Sequence, residues 1–293
     1  MALKKIVSVR SRSFVVAASI SMIASLSGEV RAADPFEGEE SASFAGNGFD
    51  QDRFDFDQDR FGGMRQRLSD WNVLVGFGAL YAPKFEGSDE FEVFPIPMIS
   101  AQIGDRLSID TTGLTFDLLE TNGFTLALKG GYELGREEDD SSHLRGLGDI
   151  DAGGVIGARL SYALGAMEFY ASVDRTIGGS DGLLGKFGTT VSHQYDRFIL
   201  SAGASATFAD DNHMESYFGV TSAQSIRSGL REYDASTGLK RVDIEASVTY
   251  MATENWLIRG RAGVGFLTGD AQDSPIVQND VQPSALLSVG YKF

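Results

Sequence analysis

The sequence predicts an all-β protein, an antiparallel transmembrane β-barrel of about twelve strands. Apolar residues alternate with small or polar ones over runs of roughly ten residues, and this period of two recurs along most of the chain after residue 70. Such runs exceed the ~5–6 residues of typical soluble strands and match the ~9–11 residues that a tilted strand needs to cross a bilayer. Aromatic residues lie at both ends of the apolar faces, where membrane barrels carry their interfacial girdles.

The first strand illustrates the pattern. Trp71, Phe77 and Tyr81 share one face, whereas Gly76 and Gly78 lie on the other. An even number of such strands suits a closed single-chain barrel, in which the last strand pairs with the first. The predicted strands span residues 71–82, 91–103, 106–119, 123–134, 148–161, 166–176, 183–194, 197–209, 213–222, 238–252, 255–267 and 282–293.

The loop lengths do not sort cleanly onto the two sides of this barrel. When the predicted strands are counted in order, the long connection 135–147 falls at the opposite end of the barrel from 223–237 and 268–281. Either one hairpin is missed near Thr111–Gly113, or one long loop lies on the periplasmic side, and the sequence leaves both explanations open. A secreted β-sandwich would alternate equally well, but its strands would be shorter and less regularly bounded by aromatics.

The N-terminus has the pattern of a secretory signal peptide, predicted over residues 1–32. Basic residues precede a short apolar run, Phe14–Leu26, which leads to Val30-Arg31-Ala32 before the expected cut, so the mature chain is expected to begin near Ala33. The alternative, an uncleaved anchor, is disfavoured because the run is too short to span a bilayer as a helix. Residues 33–69 then form an acidic segment, predicted to be disordered, in which FDQDRF occurs twice, at Phe49–Phe54 and Phe56–Phe61.

Charge and cysteine content exclude several classes of function. The chain has a net charge of −16, and since residues 1–32 contribute +4, the remainder carries −20. Such a surface repels phosphates, so no nucleic acid partner is expected. The chain has no cysteine, which excludes disulfides, thiol catalysis and cysteine metal sites. We expect no cofactor and no metal site.

Four charged residues are predicted to face the barrel lumen near the C-terminus. Asp243 and Glu245 lie on the face of one strand opposite its apolar residues, and Arg259 and Arg261 do so on the next strand. Because a short turn joins these strands, a cross-strand pair such as Glu245 with Arg261 is expected. The pattern fits lumen filling, and a substrate-selecting constriction is the alternative.

Two prolines interrupt the second strand, at Pro95 and Pro97. Their spacing removes two backbone donors from the same side of the hydrogen-bonded ladder. We interpret this as a weakened seam beside the strand, open to lateral distortion or to docking of the N-terminal segment.

The sequence argues against an enzyme, and no catalytic residue is predicted. Ser192 and His193 are adjacent on one strand and therefore point to opposite faces, beyond the reach of a nucleophile–base pair. Neither a G-x-S-x-G elbow nor an H-E-x-x-H pair occurs.

The C-terminal strand, LLSVGYKF, ends on an aromatic residue. Leu287, Val289, Tyr291 and Phe293 alternate with smaller or polar residues and are predicted to face lipid on the strand that closes the barrel. The same residues resemble the signal read by the barrel assembly machinery of the outer membrane.

Five segments stand out, in order along the chain: YAPKFEGSDEFEVFPIP (Tyr81–Pro97), LRGLGDIDAG (Leu144–Gly153), SYFGVTSAQSIRSGLREYDASTGLK (Ser216–Lys240), GDAQDSPIV (Gly269–Val277) and the terminal GYKF. Together they resemble the MipA/OmpV family of outer-membrane proteins. The resemblance covers residues 70–293 and excludes the FDQDRF segment. It identifies no residue that contacts a partner.

The resemblance implies a barrel in the outer membrane of a Gram-negative bacterium, surrounded by outer-membrane lipid. It also implies a scaffolding role between a murein lytic transglycosylase and a murein synthase, although relatives include adhesins and porin-like proteins. We therefore expect an interaction protein linked to peptidoglycan-remodelling enzymes. A porin-like channel for small solutes is the alternative, and a lipid-active outer-membrane hydrolase is a third, weaker one.

Overall fold

The fold was analysed in a computed structural model, which describes residues 71–293. The predicted signal peptide (1–32) and acidic segment (33–69) lie outside the described residues. The described part is a closed, antiparallel barrel of twelve strands in which β12 pairs with β1, so the predicted fold class is confirmed. Its strands are β1 Trp71–Pro83, β2 Phe91–Ile103, β3 Leu107–Asp110, β4 Gly113–Thr121, β5 Phe124–Glu133, β6 Gly153–Leu164, β7 Met167–Ile177, β8 Leu183–Tyr195, β9 Phe198–Ala209, β10 Gly238–Met251, β11 Trp256–Leu267 and β12 Val281–Lys292.

Period-two alternation places apolar side chains on the outside of the barrel and polar or small ones inside. Phe77 on β1 and Leu287 on β12, two strands that pair at the seam, leave 71% and 62% of their surfaces exposed. Ser288 and Leu74, on the opposite face of the same two strands, are buried. A protein with this inside-out pattern buries its apolar surface in lipid rather than in its own core.

All long connections lie at one end of the barrel, so no long loop lies on the side of the short turns. The short turns 104–106, 122–123, 165–166, 196–197 and 252–255 lie at the other end. The predicted strand 106–119 is wrong, because it is a hairpin of two strands, β3 and β4, turning at Thr111 and Thr112. The Asp110 carboxylate accepts hydrogen bonds from the backbone N–H groups of Thr112 (2.7 Å) and Gly113 (3.1 Å), which stabilises this turn.

The predicted strand 213–222 is also wrong. Residues Asp211–Phe218 form α1, and Ser222–Ser228 form α2; a third short helix, α3, spans Gly269–Gln272. Helix α1 begins because the Asp210 side chain accepts the N–H of His213, and it buries Met214, Tyr217 and Phe218 at helical spacing. The hairpin adds one strand to the predicted set and the helical segment removes one. The total therefore remains twelve, although the strands differ from those predicted.

Aromatic side chains form two belts on the outer surface, as expected for the two interfaces of a membrane. At the short-turn end, Phe124 stacks on Tyr162 at 4.3 Å between ring centroids, and Trp256 packs edge-on against Tyr291 at 5.0 Å. At the long-loop end, Phe187 stacks on Phe208 at 5.7 Å. No helix among residues 71–293 is long and apolar enough to cross a membrane.

Candidate functional site

Four long loops pack together over one mouth of the barrel, and we call this unit the cap: residues 84–90, 134–152, 210–237 and 268–280. They come from separate places around the ring of strands, so the core that they share crosses the mouth. This apolar core contains Phe85, Leu144, Leu147, Ala209, Met214, Tyr217, Phe218, Val220, Ala235, Leu267, Ala271 and Ile276.

Hydrogen bonds between the loops fix the cap. The Arg136 guanidinium donates to the carbonyl of Tyr217 (2.8 Å), and the Ser274 hydroxyl donates to that of Phe218 (2.6 Å). The Gln224 side chain, which also completes the capping box of α2, donates to the carbonyl of Leu147 (2.6 Å). Bonds that join residues far apart in sequence make the cap a folded unit rather than a set of separate loops.

One glycine shows how closely the loops approach. Gly146 has a φ of +87°, and a Cβ atom there would lie 2.7 Å from the backbone carbon of Arg227. Only glycine tolerates both this backbone conformation and this contact.

A buried charge cluster lies beneath the apolar core of the cap. Its members are Glu86 from the first loop, Glu133 at the end of β5, His213 from α1, and Lys240, Arg241 and Asp243 from the start of β10.

Glu86 holds one half of this cluster together. Its carboxylate lies 3.3 Å from the Lys240 ammonium and 3.4 Å from the Arg241 guanidinium, which also pairs with Asp243 at 2.6 Å. All four residues are buried. Such pairs are tolerated in an interior only when each charge finds a partner of opposite sign and hydrogen bonds.

Glu133 and His213 form the other half. The Tyr217 hydroxyl (2.9 Å) and the Ser180 hydroxyl (3.0 Å) both donate to the Glu133 carboxylate. The His213 Nε2 lies 3.3 Å from the Lys240 Nζ, and its Nδ1 lies 3.9 Å from Glu133. Burial, reinforced by Lys240, lowers the pKa of His213 well below 6.5. The imidazole is therefore neutral, and Nε2 accepts a hydrogen bond from the lysine.

Acid is expected to loosen the cap through His213. Its pKa is lower in the folded protein than in the unfolded chain, so its contribution is complete above pH ~6.5 and is lost as the pH falls below that value. A proton on His213 would face the Lys240 ammonium, whose Nζ lies 3.3 Å from Nε2. We expect a loss of up to about 1 kcal/mol per pH unit between pH ~6.5 and ~5.5, read from thermal unfolding in detergent.

A matched pair of variants isolates this effect. His213→Gln should flatten the pH dependence in that window, whereas His143→Gln, in the part-buried loop contact with Pro275, should retain it. If both variants follow the unsubstituted protein, the role assigned to His213 is wrong.

The structure places the four predicted lumen charges on the inward face of β10 and β11. Arg261 lies 3.8 Å from Glu245, and Arg259 donates to the Ser247 hydroxyl (3.4 Å). Asp243 belongs instead to the buried charge cluster. Sequence reasoning missed Glu86, Glu133, His213 and Lys240, all of which lie in or beside loops without a repeating pattern.

The two other sets of predicted residues lie on the outer surface. Pro95 and Pro97 point outward on β2, and Leu287, Val289, Tyr291 and Phe293 lie on the lipid-facing side of the closing strand. Ser192 is buried and donates to the Ser201 hydroxyl, whereas His193 is exposed on the opposite face. Among residues 71–293, no group of three or more histidine or acidic side chains could hold a metal ion.

Several curated proteins and solved structures are similar to this chain. The chain is 24% identical over 227 residues to YiaT of Escherichia coli (strain K12), whose name assigns it provisionally to the outer membrane; the match covers 75% of this chain and 91% of YiaT. It is 26% identical over 211 residues to the MltA-interacting protein of the same strain, covering 69% of this chain and 82% of that protein. Among solved structures, the NanC porin matches with a TM-score of 0.42 and 10% identity, over 75% of this chain and 100% of that one.

Together with the lipid-facing strands, the two Escherichia coli relatives place the protein in the outer membrane of a Gram-negative bacterium. Its short turns are then periplasmic, and the cap is extracellular. The family model described as "MltA-interacting protein MipA" matches residues 75–293, nearly the whole barrel, and this chain belongs to the MipA family.

Proposed function

We propose that this protein is an interaction protein of the outer membrane that holds a murein lytic transglycosylase, and with it a murein synthase, at its periplasmic side. The observation that carries the proposal is the cap, whose shared apolar core joins four loops over the extracellular mouth. A barrel covered in this way suits anchoring better than diffusion of solutes. The name of the MltA-interacting relative supports the same reading.

The periplasmic side offers a defined face for such a partner. Its turns carry charged residues of both signs, including the pairs Asp105–Arg106 and Asp196–Arg197. Residue 71 begins β1 at the same end, so residues 33–69 join the barrel there. We infer that the partner binds this face, the acidic segment, or both.

Affinity purification from solubilised envelopes tests the proposal. The unsubstituted protein should retain a lytic transglycosylase, and a form that lacks residues 33–69 should lose it if the segment contributes. Ile226→Glu is the matched control, because Ile226 is 85% exposed on the cap, at the opposite end of the barrel, and should not affect retention. If no murein enzyme co-purifies with any form, the scaffold proposal fails.

A porin-like channel is the second candidate, and the charged lumen favours it. Arg259, Arg261 and Glu245 line the inner wall below the cap. If solutes pass, Arg261→Ala should change single-channel conductance and ion selectivity, because it removes a fixed positive charge from the path. Arg197→Ala, in a periplasmic turn, is the control. If the conductance of the Arg261 variant is unchanged, or if liposomes with the protein do not swell, Arg261 does not select ions or solutes.

The non-enzymatic reading rests on the same geometry. Ser192 and His193 face opposite sides of the wall, so they do not form a hydrolase pair. The relatives are named for interaction and for location.

A further inference from the structure

Apolar side chains follow the inner faces of β1 and β2, where the wall of a water-filled lumen is expected to be polar. Leu74 and Leu80 of β1 and Met98 of β2 point inward and are buried. Phe94 and Ile96 lie on the same face of β2 as Met98, because all three occupy even-numbered positions of the strand. We call these five residues the apolar lane. It extends from near the periplasmic end of β1 to near the start of β2, below the cap.

The lane has apolar partners along the wall but not across the lumen. Leu257 of β11 packs with its periplasmic part, and Leu286 of β12 packs with its extracellular part. Leu286 also leans over Gly78, where a Cβ atom would lie 3.2 Å from its Cδ1. Within residues 71–293, these apolar clusters contain no residue from β5–β8 on the opposite side of the barrel. Side chains that point into a lumen are buried only where other groups lie over them, so an apolar partner on the lumen side is expected.

Two buried hydroxyl groups on neighbouring strands also lack a partner. Thr249 of β10 and Ser288 of β12 are buried on the inner face, and neither side-chain oxygen has a hydrogen bond within the described part of the chain. Ser288 lies beside the lane, because it pairs with Gly78 of β1. A buried hydroxyl without a partner is costly, so a further hydrogen-bonding group is expected on the lumen side of these strands.

The rest of the lumen wall is polar and contains paired charges. Ser172 of β7 and Ser192 of β8 are buried on the inner face. Arg159 of β6 pairs with Glu168 of β7 at 2.8 Å. The lumen therefore has an apolar side and a polar side, and a chain segment that carries aromatic rings among polar groups suits both.

We propose that residues 33–69, the acidic segment of this chain, fold back into the lumen and lie along the apolar lane. The segment precedes β1, which begins at Trp71 at the periplasmic end, where the lane also begins. Residues 33–69 span about 120 Å when extended at ~3.3 Å per residue, against about 43 Å for the 13 residues of β1, so their reach is sufficient. Because the segment is tethered, its local concentration at the lane is on the order of millimolar, which favours it over a free peptide.

The sequence of the segment matches the two sides of the lumen. The FDQDRF repeats place Phe49, Phe54, Phe56 and Phe61 among aspartate, glutamine and arginine residues. The rings suit the lane, because docking removes their apolar surface from water. The polar side chains between them face the opposite wall and offer hydrogen bonds to buried hydroxyls such as that of Ser288. Docking in the lumen leaves the periplasmic turns to a partner, so the proposal goes beyond the scaffold function.

Protection from trypsin tests the proposal in the full mature chain, purified in detergent. Arg53 and Arg60 lie inside the two repeats, and trypsin cleaves after arginine. We expect cleavage at both sites to be about tenfold slower than in a synthetic peptide of residues 33–69, because a docked segment must open before it is cut. Heat-modifiable mobility verifies that the barrel of each variant is folded.

Two matched variants separate the rings of the segment from its charges. A quadruple serine variant should be cleaved as fast as the peptide, because it removes the rings that cover the lane: Phe49→Ser, Phe54→Ser, Phe56→Ser and Phe61→Ser. A quadruple asparagine variant should remain protected, because it keeps every ring: Asp50→Asn, Asp52→Asn, Asp57→Asn and Asp59→Asn. Equal cleavage rates in the two variants would contradict docking through the rings.

Photo-cross-linking tests where the segment lies. A benzoylphenylalanine residue in place of Ile96, on the lane, should capture peptides from residues 33–69. The same residue in place of Val93 should not, because Val93 is exposed on the outer face of the same strand. Cleavage as fast in the unsubstituted chain as in the peptide, or products at position 96 that lack residues 33–69, would overturn the proposal. Neither measurement involves a murein enzyme, so their outcome is independent of the scaffold proposal.

Discussion

Replacing Glu86 with alanine should destabilise the cap more than any other single substitution in the loops. The change leaves Lys240 without its carboxylate partner and takes one carboxylate away from Arg241, with all three groups buried. Removing one member of a buried ion pair typically costs about 3–5 kcal/mol, because the remaining charge stays in a poorly solvated site. We expect a correspondingly lower midpoint of unfolding in urea or on heating.

The same loop supplies the control. Glu90 forms an equally clear ion pair with Lys84 at 2.8 Å, but both side chains are substantially exposed. Solvent screens such a pair, so Glu90→Ala should change stability little. A Glu86→Leu/Lys240→Met double variant should recover much of the loss, since it replaces two charges with apolar groups. If Glu86→Ala behaves like Glu90→Ala, the charge cluster does not hold the cap.

Glu86→Ala should also make the barrel more permeable to solutes. The cap core and the charge cluster share Tyr217, which packs in the former and donates to Glu133 in the latter. Loss of Glu86 should therefore loosen the cap, and liposomes that contain the variant should swell faster than those with Glu90→Ala. Faster swelling would identify the cap as the barrier to solutes.

The barrel could be predicted from sequence because the alternation of side chains between the two faces of a strand is a local property. A residue two positions along a strand faces the same side, so alternation alone assigns Phe77 and Leu287 to lipid and Arg261 to the lumen. The charge cluster follows no local rule. Glu86 and Lys240 are separated by 154 positions, and only the packing of the loops brings them together.

The two wrong strands have specific physical causes. The β3–β4 hairpin turns on the Asp110 side chain rather than on a glycine–proline signal, so two short strands resembled one long strand. Helix α1 has only 8 residues, too few for a clear helical period, and its two consecutive aromatic residues, Tyr217 and Phe218, favour a strand. Lys240 and Arg241 are both buried because the β9–β10 register shifts between Leu239 and Arg241, and simple alternation does not reveal such a bulge.

Deleting Phe293 should sharply reduce the amount of barrel that assembles in the outer membrane. Its backbone N–H donates to the carbonyl of Val73 (2.9 Å), so it adds a bond between the closing strand and β1. Its ring, 72% exposed on the lipid-facing side, packs edge-on against Tyr291 at 4.9 Å, which in turn packs against Trp256. Removal shortens the seam and takes the outermost aromatic from the periplasmic belt.

Matched variants separate a role in assembly from a general loss of aromatic surface. Phe187 is also exposed to lipid and stacks on Phe208 in the opposite belt, but it lies in the middle of the barrel sequence. Phe187→Ala should preserve the yield of heat-modifiable barrel in the membrane. Phe293→Tyr should also give the normal yield, unlike the deletion, because tyrosine keeps the ring and the backbone bond. Normal yield after deletion of Phe293 would show that the closing strand does not depend on its terminal aromatic. Equal losses for Phe187→Ala and the deletion would attribute the effect to belt aromatics in general, since lipid-facing rings stabilise a barrel at both interfaces.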